Sequence, residues 1–284
     1  MMNKIKETRP SPIAGSWYSN NPHMLRTEIN NFLNKVTLPD MEGKVIGVIA
    51  PHAGYRYSGQ TAAYAFQTVR DRKFDLVVIL SPFHAYHPAK ILTSAHKYYQ
   101  TPLGKIPVDQ VLIEELLAQE ILEQELKIVR IANDEEHALE IELPFLQCVL
   151  EGDFSIIPIM VRGIDPHQSN IIAAHLFKAI KDKNVLIVAS TDLSHFYPQV
   201  VAEQLDQEML NQIKTFSNQN VYQTELKGEG YACGLGAVMI SMSLSKMLGA
   251  NQVDILHYST SGKETGDFTS VVGYGAGVFV ETDS

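Results

Sequence analysis

Three short aliphatic runs constrain this chain more than any other feature of it. Val45–Ala50, Leu76–Leu80 and Val185–Ala189 carry almost nothing polar. A strand with one wet face alternates apolar and polar residues. A run without alternation, bounded by Pro, Ser and Gly, belongs to a strand covered on both faces, as in a parallel sheet between helix layers. Each run leads to a histidine: Pro51-His52, Ser81-Pro82-Phe83-His84, and Ser190-Thr191-Asp192-Leu193-Ser194-His195. Open α/β sheets bind ligands outside the carboxyl ends of their strands. Three imidazoles are therefore expected at one edge, as metal ligands or proton carriers.

Helical and strand patterns alternate along most of the remaining chain. Ala62, Ala65, Phe66 and Val69 share one face of a helix expected over 58–69. Short strands and a turn follow over 89–104, and a helix over 108–120 with Asp109 at its start. Further strands are expected at 126–131, 154–161, 253–258 and 271–280, and helices at 138–150, 166–181, 200–216 and 235–248. Pro144 should kink or break the helix that contains it. Such alternation predicts an α/β fold: a single domain, 1–284, with a mostly parallel central sheet and helices on both faces. The glycines at 273, 275 and 277 lie in a strand pattern with no helix after them, which suits close strand packing better than a nucleotide-binding turn.

Composition narrows the function. Hydrophobic residues make up 45% and charged residues 19% of the chain, as in ordinary globular proteins. The net charge is −9, with no basic cluster, which argues against a nucleic-acid or anionic-membrane partner. No apolar stretch approaches the roughly 18 residues of a membrane helix. The opening residues, Met1–Lys6, lack the apolar core of a signal peptide. Two cysteines, Cys148 and Cys233, cannot build a disulfide framework, so a reducing, cytoplasmic setting is expected.

Several clusters carry the chemistry. His52 stands in a βα loop, where it either bonds a carbonyl or joins the other strand-end histidines. His84 is nearer its strand than His87, which should face solvent. Asp134-Glu135-Glu136-His137 puts acidic residues at an expected helix start, where they complement the dipole. His137 fits that account less well and, with Glu136, is a candidate pocket residue. Asp192 precedes His195 by three residues and is expected to fix its tautomer, an arrangement suited to a general base. Cys233 precedes the helix pattern at 235–248, and a helix N-terminus should lower its pKa and favour thiolate. Cys148 lies in an apolar segment and reads as core. Trp17, Tyr18, Tyr55 and Tyr57 have the apolar bodies and polar tips that suit a ligand cleft.

Pro12-Ile13-Ala14-Gly15-Ser16-Trp17-Tyr18, Ala50-Pro51-His52-Ala53-Gly54-Tyr55, Asp134-Glu135-Glu136-His137-Ala138-Leu139-Glu140, Thr191-Asp192-Leu193-Ser194-His195 and Ala232-Cys233-Gly234 occur together and in this order. That series resembles the MEMO family, whose prokaryotic members are called AmmeMemoRadiSam system protein B. The resemblance runs from about residue 9 to 280. It implies a relationship to class III extradiol dioxygenases, which hold non-haem Fe(II) with two histidines and a carboxylate in an α/β fold. By that resemblance His52 and His84 would be the histidine ligands, Cys233 would replace the carboxylate, and His195 would match the acid/base. Two positions depart from the family pattern. Ala85 stands where a second histidine often follows, and Gly234–Ala237 occupy positions where an Arg and a Pro are common.

A thiolate still accommodates Fe(II) and improves the fit to Cu or Zn. Two functions follow as expectations. One is a metal-dependent oxidoreductase with His195 moving a proton. The other is a non-catalytic module whose pocket captures a peptide, an acidic ligand or a metal to be sequestered; the expected partner is a small molecule or a peptide.

Overall fold

The computed structural model describes residues 5–121 and 123–283; the reading of the first four residues lies outside that range. Its strands are β1 (Thr8–Arg9), β2 (Lys44–Ala50), β3 (Leu76–Pro82), β4 (Ile91–Ser94), β5 (Tyr98–Thr101), β6 (Gly104–Pro107), β7 (Ile128–Ile131), β8 (Ser155–Val161), β9 (Val185–Ser190), β10 (His195–Tyr197), β11 (Gln252–Thr260) and β12 (Val271–Glu281). Its helices are α1 (Pro22–Leu33), α2 (Tyr55–Gln67), α3 (Gln110–Ala118), α4 (Leu143–Val149), α5 (Pro166–Ile180), α6 (Gln199–Lys214), α7 (Asn218–Leu226), α8 (Leu235–Met247) and the single turn α9 (Gly262–Thr265).

Nine strands form one sheet in the order β10-β12-β2-β9-β3-β8-β4-β7, with β11 on the other side of β12. The four central strands β2, β9, β3 and β8 run parallel. Beyond them β12 and β4 pair antiparallel with β2 and β8. The sheet is therefore mixed, with the expected parallel strands at its centre and antiparallel pairs on its flanks. β11 and β12 are joined by the short α9 segment, too little chain for the crossover that parallel strands need, so they pair antiparallel. The aliphatic runs occupy the centre as expected, and β3 is buried at every residue.

Helix α8, backed by α5, packs on β2, β3, β8 and β9; α2, backed by α1 and α4, packs on β2, β11 and β12. One hydrophobic core runs through all of these elements. Glycine matters in β12 for space. A Cβ on Gly273 would lie 1.8 Å from the carboxyl of buried Asp206, so strand and helix α6 meet there only without a side chain.

Three local differences have simple causes. Pro144 does not kink a helix; it begins one, in the first turn of α4, where its missing N–H costs nothing. The preceding Glu140–Glu142 form a separate 3-10 turn, so the 134–137 segment is a loop rather than a helix start. Helices α1 and α7 were not anticipated. Both are capped by polar side chains, Asn21 and Ser217, but their apolar stripes are short.

Candidate metal centre

The site begins with strand register. Ala50 of β2 pairs with Ser190 of β9, and Leu80 of β3 pairs with Ala189 of β9. Three adjacent parallel strands thus end level, and His52, His84 and Asp192 emerge at one edge. The amide of Thr191 continues the ladder to Ala50 O at 2.9 Å.

Cys233 arrives from the far side of the chain and is fastened to the same loop. Its amide donates to Asp192 O at 3.2 Å, its sulfur accepts from the Asp192 amide at 3.2 Å, and the Gly234 amide donates to Thr191 Oγ1 at 2.9 Å. A Cβ on Gly234 would stand 2.3 Å from Ser190 O. In this chain the residue after Cys233 must lack a side chain for the two loops to touch.

Ligand atoms of His52, His84 and Cys233 all lie within 4.8 Å of one another. That is close enough for one ion at bonds of about 2.0–2.3 Å after small side-chain rotations. Cys233 Sγ is 3.1 Å from His52 Nε2, and the two histidine rings meet edge to face at 5.4 Å. His52 is buried, whereas the His84 side chain is 41% exposed, so the cluster opens to solvent on the His84 side.

Both imidazoles are oriented through Nδ1. Ser190 Oγ directs its single proton toward Ala138 O and Glu142 Oε1, at 2.7 and 2.6 Å. Its lone pairs therefore accept from His52 Nδ1 at 3.0 Å. His84 Nδ1 donates to Glu136 Oε1 at 3.0 Å. In each ring Nε2 is left with its lone pair for a ligand bond, the arrangement in which an outer partner fixes a metal-binding tautomer.

His84, Glu136 and His137 form a second group of the same compactness, but Glu136 is fully engaged. Besides His84 Nδ1 it accepts the amides of His84 at 2.6 Å, His137 at 2.8 Å and Ala138 at 2.9 Å. Burial would raise its pKa; the hydrogen bond and charge of His84 and these amides outweigh burial and hold it at about 2. The same partnership raises His84 above the usual imidazole value. Glu136 thus orients His84 rather than offering a free ligand oxygen. His137 stacks on His84 at 4.7 Å, with Trp17 against its ring at 4.2 Å. Burial brings its pKa down to about 4, so it is a neutral wall of the site.

Four expectations need correction. Asp192 does not hold His195. Its Oδ1 accepts the His52 amide at 2.8 Å, Oδ2 is 4.0 Å from His52 Nε2, and burial lifts the carboxyl to about 7. The tautomer of His195 is set instead by Leu193 O, which accepts from Nδ1 at 2.8 Å and leaves Nε2 basic. Second, the Cys233 thiol is raised, not lowered: burial dominates and the Asp192 carboxyl adds to it, outweighing the helix end. Third, Tyr18 and Tyr55 are core residues, 4% and 2% exposed. Their phenols donate to Glu140 Oε1 and Ile141 O. Trp17 and Tyr57 border a cavity of about 390 Å³. Fourth, Asp134 and Glu136 serve no helix dipole. Asp134 and Glu140 flank the buried Arg9, at 2.8 and 2.5 Å, and Arg9 also holds Glu136 O at 2.7 Å.

His87 stays outside the cluster, its Nδ1 accepting the Ala89 amide, and Ala85 is exposed. Residues missed from sequence are Ser190, Glu142 and Arg9. Glu142 carried a signal: a carboxylate inside the run Glu140-Ile141-Glu142-Leu143-Pro144 needs a reason to be buried. Two cavities touch Cys233. One of about 430 Å³ lies toward Lys90 and Gln168; the other, about 280 Å³, also reaches His195.

Fold and site together define an α/β protein with a His/His/Cys cluster at the carboxyl edge of its parallel strands. The family model described as Memo-like protein matches residues 9–278, and the chain belongs to that family. It is 31% identical over 277 residues to a MEMO1 family protein of Nitrosopumilus maritimus, covering 96% of this chain and 99% of the relative. A MEMO1 family protein of Methanococcoides burtonii is 33% identical over 270 residues, covering 94% and 98%. Among the described residues no helix is long and apolar enough to cross a membrane.

Proposed function

We propose that this protein is a metal-dependent oxidoreductase whose His52, His84 and Cys233 hold one ion, Fe(II) in preference to Cu or Zn. The observation that carries the reading is the convergence of three ligand atoms from three loops within 4.8 Å. The family's resemblance to non-haem iron dioxygenases supports iron. Bound there, Fe(II) would supply a redox centre with positions open to O₂ and an organic ligand.

The chain's own residues have distinct tasks. His52 and His84 present Nε2 because Ser190 and Glu136 occupy Nδ1. Cys233 gives up its proton on binding a metal, which makes uptake pH-dependent. His195, whose Nδ1 is held by Leu193 O and which lines the cavity shared with Cys233, takes a proton from the bound molecule through Nε2. Asp192, poised near neutrality beside His52 and Cys233, is a second proton acceptor. Trp17 and His137 wall the site from bulk water. The partner is a small molecule, with no nucleic acid or membrane involved. A cytoplasmic, reducing compartment would keep both free cysteines unoxidised.

Metal analysis of protein purified anaerobically under reducing conditions tests the reading. About one equivalent of divalent ion per chain is expected, with a metal–sulfur distance near 2.3 Å for a zinc-like ion. Cys233→Ser should lose most of the metal and Cys148→Ser none. Equal loss from both, or none from either, overturns the assignment.

A further inference from the structure

The smaller cavity beside the cluster has a chemical character of its own. Its lining includes Cys233 and His195 together with Glu225, Tyr197 and Tyr231. Glu225 sits in the last turn of α7, where the helix dipole disfavours a negative charge. It is half-buried and accepts one amide, that of Ala232 at 3.1 Å. Among the described residues it makes no ion pair. Tyr197 and Tyr231 stack nearly parallel, 12° apart with centroids at 6.0 Å. A carboxylate without a cation, next to aromatic rings, is the chemistry that recognises ammonium groups. The volume, about 280 Å³, suits a small molecule, since a cavity of about 150 Å³ already holds benzene.

We propose that this cavity binds a small organic amine, its positively charged nitrogen paired with Glu225 and resting on Tyr197 and Tyr231. The proposal deepens the oxidoreductase reading and rests on it for the other end of the molecule, which extends toward His195 and the His52/His84/Cys233 cluster. Glu225 becomes the residue that selects cations over neutral and anionic analogues. The amine's remaining carbon frame is what His195 Nε2 can reach.

Calorimetric titration of the full chain, metal-loaded and chelator-treated, with benzyltrimethylammonium, benzylamine and benzyl alcohol tests this. The quaternary probe has no lone pair, so it cannot bind by coordinating a metal. Both cations should bind about tenfold or more tightly than the alcohol. Glu225→Gln keeps an acceptor for the Ala232 amide, so thermal midpoint and metal content should stay unchanged while the cation preference disappears. Tyr231→Leu should weaken the quaternary probe more than the alcohol. Equal affinity for all three probes, an unaltered preference in Glu225→Gln, or no binding of either cation at millimolar concentration overturns the proposal. A cation preference that survives in protein unable to take up metal would sink the metal reading and leave the amine site standing.

Discussion

At the scale of single residues, orientation matters as much as identity. Glu136 and Ser190 never need to touch a ligand to control one, because each holds the Nδ1 side of an imidazole. Glu136→Gln should keep the shape but lose the charge that steadies His84. Metal affinity should fall about 10–100-fold, measured by competition with a chelating dye, and an unchanged affinity would make Glu136 a loop anchor only. His195→Ala should leave metal content intact and lower any turnover about 10²–10⁴-fold. Burial holds the His195 pKa below the ordinary imidazole value, so its neutral, proton-accepting form persists into mildly acid solution. Activity should rise with pH through that lowered pKa, and the limb should vanish in the variant. Metal loss like that of His52→Ala would instead make His195 a ligand.

At the scale of elements, two joints bring the site together. One is the contact of the 190–192 loop with Cys233-Gly234. Gly234→Ala would place a Cβ 2.3 Å from Ser190 O, an overpacking worth about 1–3 kcal/mol. The same shift should move Cys233, so metal affinity should drop along with stability. Loss of stability with full metal binding would show that the loop yields elsewhere. The other joint is Arg9, brought by β1, whose pairing with β5 sets it between Asp134 and Glu140. Arg9→Met leaves two buried carboxylates without their cation and should cost about 3–5 kcal/mol by urea denaturation. A cost under 1 kcal/mol would mean that these carboxyls simply take up protons.

At the scale of the whole molecule, a metal held by three separate loops ties β2, β3 and α8 together in the folded state alone. Binding should therefore raise stability by about 2.7 kcal/mol when free metal is 100 times its dissociation constant. The thermal midpoint should climb several degrees on loading and return on chelation. A midpoint indifferent to metal would remove the ion from the native cluster. The mixed sheet explains why the rise should be shared: β2 and β3 lie in its parallel centre, and α8 packs on that centre rather than on the antiparallel flanks.

The aliphatic runs by themselves determined that β2, β3 and β9 are buried and central, since nothing in them could face water. The histidines and Asp192 at their ends determined which edge carries chemistry, and the ordered motifs determined the family. Tertiary structure alone decided who partners whom. The spacing of Asp192 and His195 suggested a pair, but between them the chain crosses over to pair β10 with β12, so the carboxyl turns to His52 and the ring to Leu193 O. A helix start after Cys233 suggested an easily ionised thiol. Burial against Asp192 reversed that, because desolvation depends on neighbours distant in sequence. Arg9 and Asp134, 125 residues apart, have no local signal that joins them. The antiparallel flanks were hidden for the same reason: strand direction is set by where connections cross, whereas residue pattern reports only which faces are covered.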